Sequence, residues 1–430
     1  MLGIRREDKS IWERRVALVP QDVAGLMAEH GLEFAVQPSP HRVFQDHEYD
    51  DVGASVVEDI SICPVVFGVK EIPTKLLQPE RTYVYFSHTI KGQSYNMGML
   101  RRLLELGCDL IDYEKITDEQ GRRLIFFGRY AGLAGMIDGL WALGQRLNVQ
   151  EGAVTPFSHL RPAHAFANLA GAKEAVSAVG RELAAGKVPS SLRPLVCGFS
   201  GYGHVSKGAQ EIWDLLPSVE VTPQDLLAGL PPSADRVYKV VFKEEHLVEP
   251  LAGHRFDLQD YYQHPEHYQG RFDQYVDQLS VLMNCIYWEE RYPRLVTREK
   301  LTDLFAGTSL PKLRLIGDIS CDVAGAVEAT VRCTSSQDPV FLYDPATAQT
   351  VSGFEGKGIA VLAVDNLPTE LPLESSQAFS GALRALAPGL AFADMRKPLA
   401  QTGLPPELER AVIVHRGGLT ESFRYLEKYL

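Results

Sequence analysis

Three apolar runs near the start of the chain each lead into a group that can move or hold a proton. Val65–Val69 ends at Lys70, Tyr83–Ser87 at His88 and Leu110–Tyr113 at Glu114. If these runs are parallel strands, their carboxyl ends share one edge of a sheet, and that edge is where such sheets take ligands. A lysine amine loses basicity when it is buried or set beside other cations. An imidazole titrates near neutrality without help. Lys70 and His88 are therefore a candidate pair for proton transfer at a carbonyl or imine, with Glu71 and Glu114 as acidic neighbours that tune the pair or hold an amine. Arg14, Arg15, Lys91, Arg122 and Arg123 stand near the ends of expected elements. Cationic groups of this kind grip carboxylates, Arg often through two parallel bonds. Arg14 and Arg122 are read as solvated surface charges.

A second constellation is LVCGFSGYGHVSKG, residues 195–208, with glycines at 198, 201, 203 and 208. A strand running into a Gly-rich turn and then a helix lets the backbone approach a pyrophosphate, whose charge then sits at the helix N-terminus. Gly198, Ser200, Gly201, Tyr202, Gly203, His204 and Val205 are the candidate dinucleotide contacts. Ser206 stands where the third glycine of G-x-G-x-x-G belongs. The next expected strand, Val219–Val221, ends at Thr222, with neither a terminal acid for ribose hydroxyls nor an Arg for a 2′-phosphate. That counts weakly against NAD. Asp318 and Asp322 follow a later apolar strand, and Asp365, Asn366 and Leu367 follow another. No His or further carboxylate stands at ligand spacing beside the two aspartates, so no metal is expected.

These residues need a scaffold, and the apolar runs supply one. In the first 130 residues the expected strands are Leu2–Ile4, Glu33–Gln37, Val65–Val69, Tyr83–Phe86 and Leu110–Tyr113, with helices at Gln21–Glu29 and Met97–Leu106. Pro20 opens the first helix and Gly31 follows it; Gly107 follows the second. Such alternation predicts a parallel sheet covered by helices. Residues 129–148 read as one long helix, rich in Gly and Ala and so able to pack closely against another element. A second α/β unit follows, with strands at Leu195–Phe199, Val219–Val221, Val237–Phe242, Leu313–Ile319 and Ile359–Val364. The aromatic, charged stretch 250–300 reads as an insertion with its own helices, and 370–430 returns to a helical pattern.

The chain has 430 residues, 45% hydrophobic and 23% charged, the balance of a folded globular protein. Lys and Arg number 43 against 55 Asp and Glu, a net charge of −12. That acidity argues against nucleic acid and anionic membranes as partners. Six scattered cysteines without a CxxC predict reduced thiols and a cytoplasmic protein. No apolar run is long enough for a membrane helix, and the charged opening MLGIRREDKS is expected to carry no secretory leader.

Nine stretches, in order, carry a resemblance that spans nearly the whole chain: WERRVALVP (12–20), GVKEIP (68–73), YFSHTIKGQ (85–93), LIDYEKI (110–116), FGRYAGLAGMI (127–137), GYGHVSKGAQ (201–210), IYWEERYPRLVTR (286–298), GDISCDVAGAVE (317–328) and VDNLPTELPLES (364–375). Together they resemble the lysine–ketoglutarate reductases, or lysine-forming saccharopine dehydrogenases, and most closely the N-terminal half of bifunctional aminoadipic semialdehyde synthases. A more distant likeness is to alanine dehydrogenases and transhydrogenase nucleotide domains. The resemblance implies an α/β fold of two Rossmann-like domains with mostly parallel sheets and an interdomain active-site cleft. It implies a discontinuous substrate domain, 1–130 with 370–430, and a dinucleotide domain, 131–369, carrying the insertion near 250–300. The implied reaction is reductive condensation of L-lysine with 2-oxoglutarate to saccharopine, the first step of lysine degradation by that route. NADPH is the implied hydride donor and NAD(H) the alternative. By the same resemblance, Lys70 and His88 are the proton-transfer pair, their division of acid and base roles open. Arg15, Lys91 and Arg123 bind substrate carboxylates, Glu71 and Glu114 adjust the lysine, and Asp318 contacts substrate, with Asp322 close by. The expected partners are these small molecules and further copies of the chain. The rival readings are an alanine-dehydrogenase-like amino-acid oxidoreductase and a non-catalytic nucleotide-binding module.

Overall fold

A computed structural model describes residues 1–430 except 153, 252 and 254. The chain divides into two compact units, Met1–Phe127 with Pro372–Leu430, and Gly128–Leu371.

The first unit is built on an eight-stranded sheet. Its strands are β1 (Leu2–Ile4), β2 (Phe34–Val36), β3 (Ser55–Val56), β4 (Val65–Phe67), β5 (Thr82–Tyr85), β6 (Asp109–Asp112), β17 (Val412–His415) and β18 (Gly418–Leu419). The order across the sheet is β18-β17-β6-β5-β4-β1-β2-β3. The strands β1 to β6 run parallel, while β17 lies antiparallel to β6 and β18 antiparallel to β17. Strands such as VVF at β4 are buried on both faces, which is why they are apolar without alternation. The helix Pro20–His30 starts with Pro at its first turn and ends at Gly31, whose φ of 62° closes it through a bond to the Met27 carbonyl. The tail is helical at Pro372–Arg384, as expected, and departs from that pattern further on. Val412–His415 is an apolar run that completes the sheet, and Glu421–Tyr429 winds as a 3₁₀ helix on buried Phe423 and Leu426.

The second unit holds another eight-stranded sheet. Its strands are β7 (Val196–Ser200), β8 (Ser218–Val221), β9 (Val237–Phe242), β12 (Val281–Asn284), β13 (Leu315–Asp318), β14 (Val340–Asp344), β15 (Gln349–Ser352) and β16 (Ile359–Leu362). A separate antiparallel pair, β10 (Val248–Pro250) with β11 (Tyr268–Gly270), stands at the start of the stretch read as an insertion, whose later part supplies β12 to the centre of the main sheet. The sheet order is β15-β14-β16-β13-β12-β7-β9-β8. All are parallel except β14 and β15. The strand after β7 in the chain is therefore not its neighbour in the sheet: β9 lies between β7 and β8.

The long helix Gly128–Glu151 crosses the helix His204–Trp213 at glycines. A Cβ at Gly132 would lie 1.9 Å from the Val205 carbonyl oxygen, and one at Gly208 would lie 2.1 Å from that of Arg129. Both obstacles are backbone, so neither can swing aside. Gly132→Val is expected to destabilise the protein by about 3 kcal/mol or more, the upper range for overpacking a close contact. A urea melt would show this as a lower midpoint at unchanged slope; a native midpoint would mean the helices can separate without cost. Among the described residues, no helix is long and apolar enough to cross a membrane.

Candidate functional site

The carboxyl ends of β1, β4, β5 and β6 lie on one edge of the first sheet, and each turns there into polar sequence. Lys70 and Glu71 follow β4, and His88 follows β5, its parallel neighbour. One Glu71 oxygen lies 2.6 Å from His88 Nδ1, and the other lies 2.8 Å from Lys9 Nζ. Burial works against the Glu71 charge, but the bond to His88 and the Lys9 ammonium overcome it and hold the carboxyl well below the usual range. An ionised carboxylate only accepts. Nδ1 of His88 must therefore carry the hydrogen, which leaves Nε2 as the working nitrogen. Lys70 is pushed down from the ordinary amine value by burial first and Arg15 second, with Glu13 opposing.

Two buried carboxylates that sequence reading missed hold these turns. Glu7 accepts from the backbone N–H groups of Val69, at 2.7 Å, and Lys70, at 3.0 Å. Burial pushes it up to about 6. Asp112, at the end of β6, accepts from Ser87 N at 3.0 Å, from the Ser87 hydroxyl and from Glu114 N at 2.8 Å. Burial raises it also to about 6. Asn96 Nδ2 donates to the Ser87 and His88 carbonyls at 3.0 and 3.2 Å. These clamps hold His88 at φ 49°, a left-handed conformation that costs a non-glycine residue about 1–2 kcal/mol.

The expected carboxylate binders fall into different settings. Arg15 is buried and gives Nε and one terminal nitrogen to Glu13, at 2.8 and 2.6 Å, with its guanidinium 4.2 Å from the Phe127 ring centre. Two arms of its fork thus serve a carboxylate of its own chain. Arg123 is exposed and pairs with Glu114. Those two predicted residues are joined to each other, and the acidic contacts of the catalytic candidates come from Glu13 and Glu71 instead. Lys91 is exposed on the turn after His88.

In the second unit, Gly201 turns at φ 84°, a conformation natural to glycine, and its N–H donates to the Phe242 carbonyl at 2.8 Å. Gly203 caps the helix that opens with His204, and a Cβ there would meet open space. Val205 gives its carbonyl to the crossing with the long helix. Gly201, Tyr202 and Gly203 line a cavity of about 460 Å³ with Glu244, Tyr262, Ile286 and Arg294 among its walls. Gly198 sits inside β7, where a Cβ would press on Leu279 at 2.9 Å, so its smallness serves packing. Ser200 ends β7 with its side chain turned into the sheet. It is fully buried, and its hydroxyl donates to Asn284 Oδ1 at 2.9 Å and accepts from Cys285 N at 3.1 Å. Its side chain ties β7 to β12.

Asp318 is likewise buried and accepts from Asn284 at 2.9 Å, Ser320 at 2.7 Å and Thr330 at 2.6 Å. With these donors around it, the side chain braces strand ends; burial still pushes its carboxyl up. Asp365 is exposed, its carboxylate within 4.8 Å of the thiols of Cys321 and Cys333. Asn366 begins the turn after it, and Leu367 is buried.

Residues 3–134 match the family model "Alanine dehydrogenase/PNT, N-terminal domain", and residues 266–422 match "Alanine dehydrogenase/PNT, C-terminal domain". The chain belongs to the alanine dehydrogenase/PNT family. It is 38% identical over 444 residues to the mitochondrial alpha-aminoadipic semialdehyde synthase of Bos taurus, an alignment covering 100% of this chain and 48% of that protein. The chain thus spans about half the length of that relative. It is 28% identical over 394 residues to a saccharopine dehydrogenase [NAD(+), L-lysine-forming] of Yarrowia lipolytica, covering 89% of this chain and 90% of the other. Among solved structures, an L-alanine dehydrogenase aligns with a TM-score of 0.63 at 19% identity over 99% of each chain. A transhydrogenase from Sinorhizobium meliloti aligns at 0.57 and 15%, covering 97% of this chain and 99% of that one. These structures share the family's α/β fold of two mostly parallel sheets, as the sequence led one to expect.

The saccharopine dehydrogenase among these relatives is named for NAD(+), a nicotinamide dinucleotide. The second unit fits such a cofactor on its own geometry. The positive-φ Gly201, the open space at Gly203 and the helix starting at His204 form the turn and positive helix end that a pyrophosphate needs.

Proposed function

We propose that this chain condenses L-lysine with 2-oxoglutarate reductively to give saccharopine, using NADPH or NADH. The observation that carries the reading is the Lys70–Glu71–His88 arrangement at one sheet edge. It stands in a chain similar over its full length to aminoadipic semialdehyde synthase. A bound reduced nicotinamide supplies the hydride. The chain's own residues supply the proton transfers. The substrate ε-amine, with a free pKa of about 10.4, must lose its proton before attacking the keto carbon. Lys70, pushed toward its neutral form, is the base that takes it. The carbinolamine oxygen must then gain a proton so that water leaves. His88 Nε2 gives it, while Glu71 fixes the ring through Nδ1. Lys91 stands exposed at the same edge as a cation for a substrate carboxylate, Arg123 would have to leave Glu114 to serve a second one, and Arg15 acts on Lys70 through its field.

The test is a coupled set of mixtures followed by nicotinamide absorbance. Oxidation that needs both lysine and 2-oxoglutarate is expected. Oxidation with pyruvate and ammonia in their place would instead make the chain an alanine-dehydrogenase-like enzyme. Dinucleotide binding without turnover of any amine and keto-acid pair would reduce it to a nucleotide-binding module.

A further inference from the structure

In a doubly wound dinucleotide site, the strand beside the glycine-turn strand carries at its end the group that reads the adenosine ribose. An acid there takes the 2′- and 3′-hydroxyls; a cation nearby takes a 2′-phosphate. By chain order that position falls at Thr222, after β8. By sheet order it does not. β9 pairs with β7 along its length, and the turn itself is bonded to the end of β9 through Gly201 N and the Phe242 carbonyl. The reading position is therefore the segment Lys243–Glu244, and it is Glu244 that lines the cavity with Gly201, Tyr202 and Gly203.

We infer that Glu244 reads the adenosine ribose and makes this chain prefer NAD(H) to NADP(H). The inference rests on the dinucleotide reading of the cavity but not on which amine and keto acid react. The Tyr262 hydroxyl donates to Glu244 Oε1 at 2.7 Å, which aims the carboxylate at the cavity wall beside the glycine turn. Burial and then Glu244 itself raise the Tyr202 phenol, which places that side chain within the same field. A carboxylate so held accepts from ribose hydroxyls, whereas a 2′-phosphate would approach a charge of its own sign. A cation could reverse this, and Arg294 does line the cavity. Most of its guanidinium is engaged elsewhere, however. One terminal nitrogen donates to the Ala324 and Gly325 carbonyls, Nε lies 3.2 Å from Glu328 Oε1, and its plane sits 4.8 Å from the Trp288 ring centre. Lys243 is exposed.

Equilibrium titration of the full chain with NADH and with NADPH, without lysine or keto acid, tests this through nicotinamide fluorescence or heat. NADH should bind tighter by about tenfold or more, the scale of one like-charge contact near a protein surface. Glu244→Arg should reverse the order. The near-isosteric Glu244→Gln should narrow the ratio, and both variants should keep the native circular dichroism. Equal or tighter NADPH binding by the unmodified chain overturns the inference, as does a ratio that Glu244→Arg and Glu244→Gln leave unchanged. Binding of neither dinucleotide overturns the cavity assignment and the inference with it. The expected ratio without any lysine-dependent turnover upholds Glu244 and sinks the saccharopine reading alone.

Discussion

Lys70→Met should lower turnover by a factor of about 10²–10⁴, the usual contribution of a positioned acid or base, while dinucleotide affinity stays native. The expectation follows from where the amine sits. The β4 turn is fixed by Glu7, which accepts from both Val69 N and Lys70 N, so the backbone holds its course whatever the side chain is. Methionine keeps the length and apolar stem and removes only the titrating nitrogen. Burial of an ammonium in this setting costs free energy, which is why burial heads the causes that lower Lys70. A neutral residue there should therefore leave the fold at least as stable. Single-turnover measurement with saturating lysine, 2-oxoglutarate and reduced nicotinamide would isolate the chemical step. A rate within a few-fold of native would remove Lys70 from the mechanism. A lost melting transition would make it structural instead.

Much of this site could be read from the chain because strand ends announce themselves. Apolar runs that stop at Lys70 and His88 place both residues at carboxyl ends, and a parallel sheet sends those ends to one edge. Glu7 and Asp112 were not legible for the same reason that they matter. Glu7 is one acid in a charged stretch and Asp112 one acid at the end of an apolar run, and only the convergence of strand exits buries their side chains against backbone N–H groups. The pairing of Glu114 with Arg123 was equally hidden, since each was assigned a separate partner. Chain order puts the position beside the glycine turn at the end of β8, whereas sheet order puts it at the end of β9. A signal for the second was present. SVEV at β8 leaves its residues exposed or half-buried, as an edge strand does, whereas VYKVVF at β9 is a nearly continuous apolar run suited to the sheet interior. Reading apolarity before adjacency would have put β9 beside β7.

His88→Gln should lower turnover about a hundredfold and remove one limb of the pH–rate profile. Glutamine can still donate to Glu71, so the turn held by Asn96 and Asp112 stays in place while the titrating nitrogen is lost. The limb left behind should belong to Lys70, and its direction and position can be worked out. As a base the amine acts when neutral, so the rate rises with pH through its pKa. Burial and the Arg15 guanidinium disfavour the ammonium, so that rise is centred below the ordinary amine value of 10.5. Glu13 opposes them by favouring the ammonium. Glu13→Gln should therefore move the rise to still lower pH, because an anion is withdrawn and Arg15 loses its neutralising partner. The substrate's own ε-amine would also give a rising limb, but that amine titrates in solution and takes no notice of Glu13. Profiles of kcat/KM for His88→Gln alone and combined with Glu13→Gln separate the two origins. A rise that shifts downward assigns it to Lys70, and one that stays put assigns it to the substrate and ends the claim that Lys70 is the base.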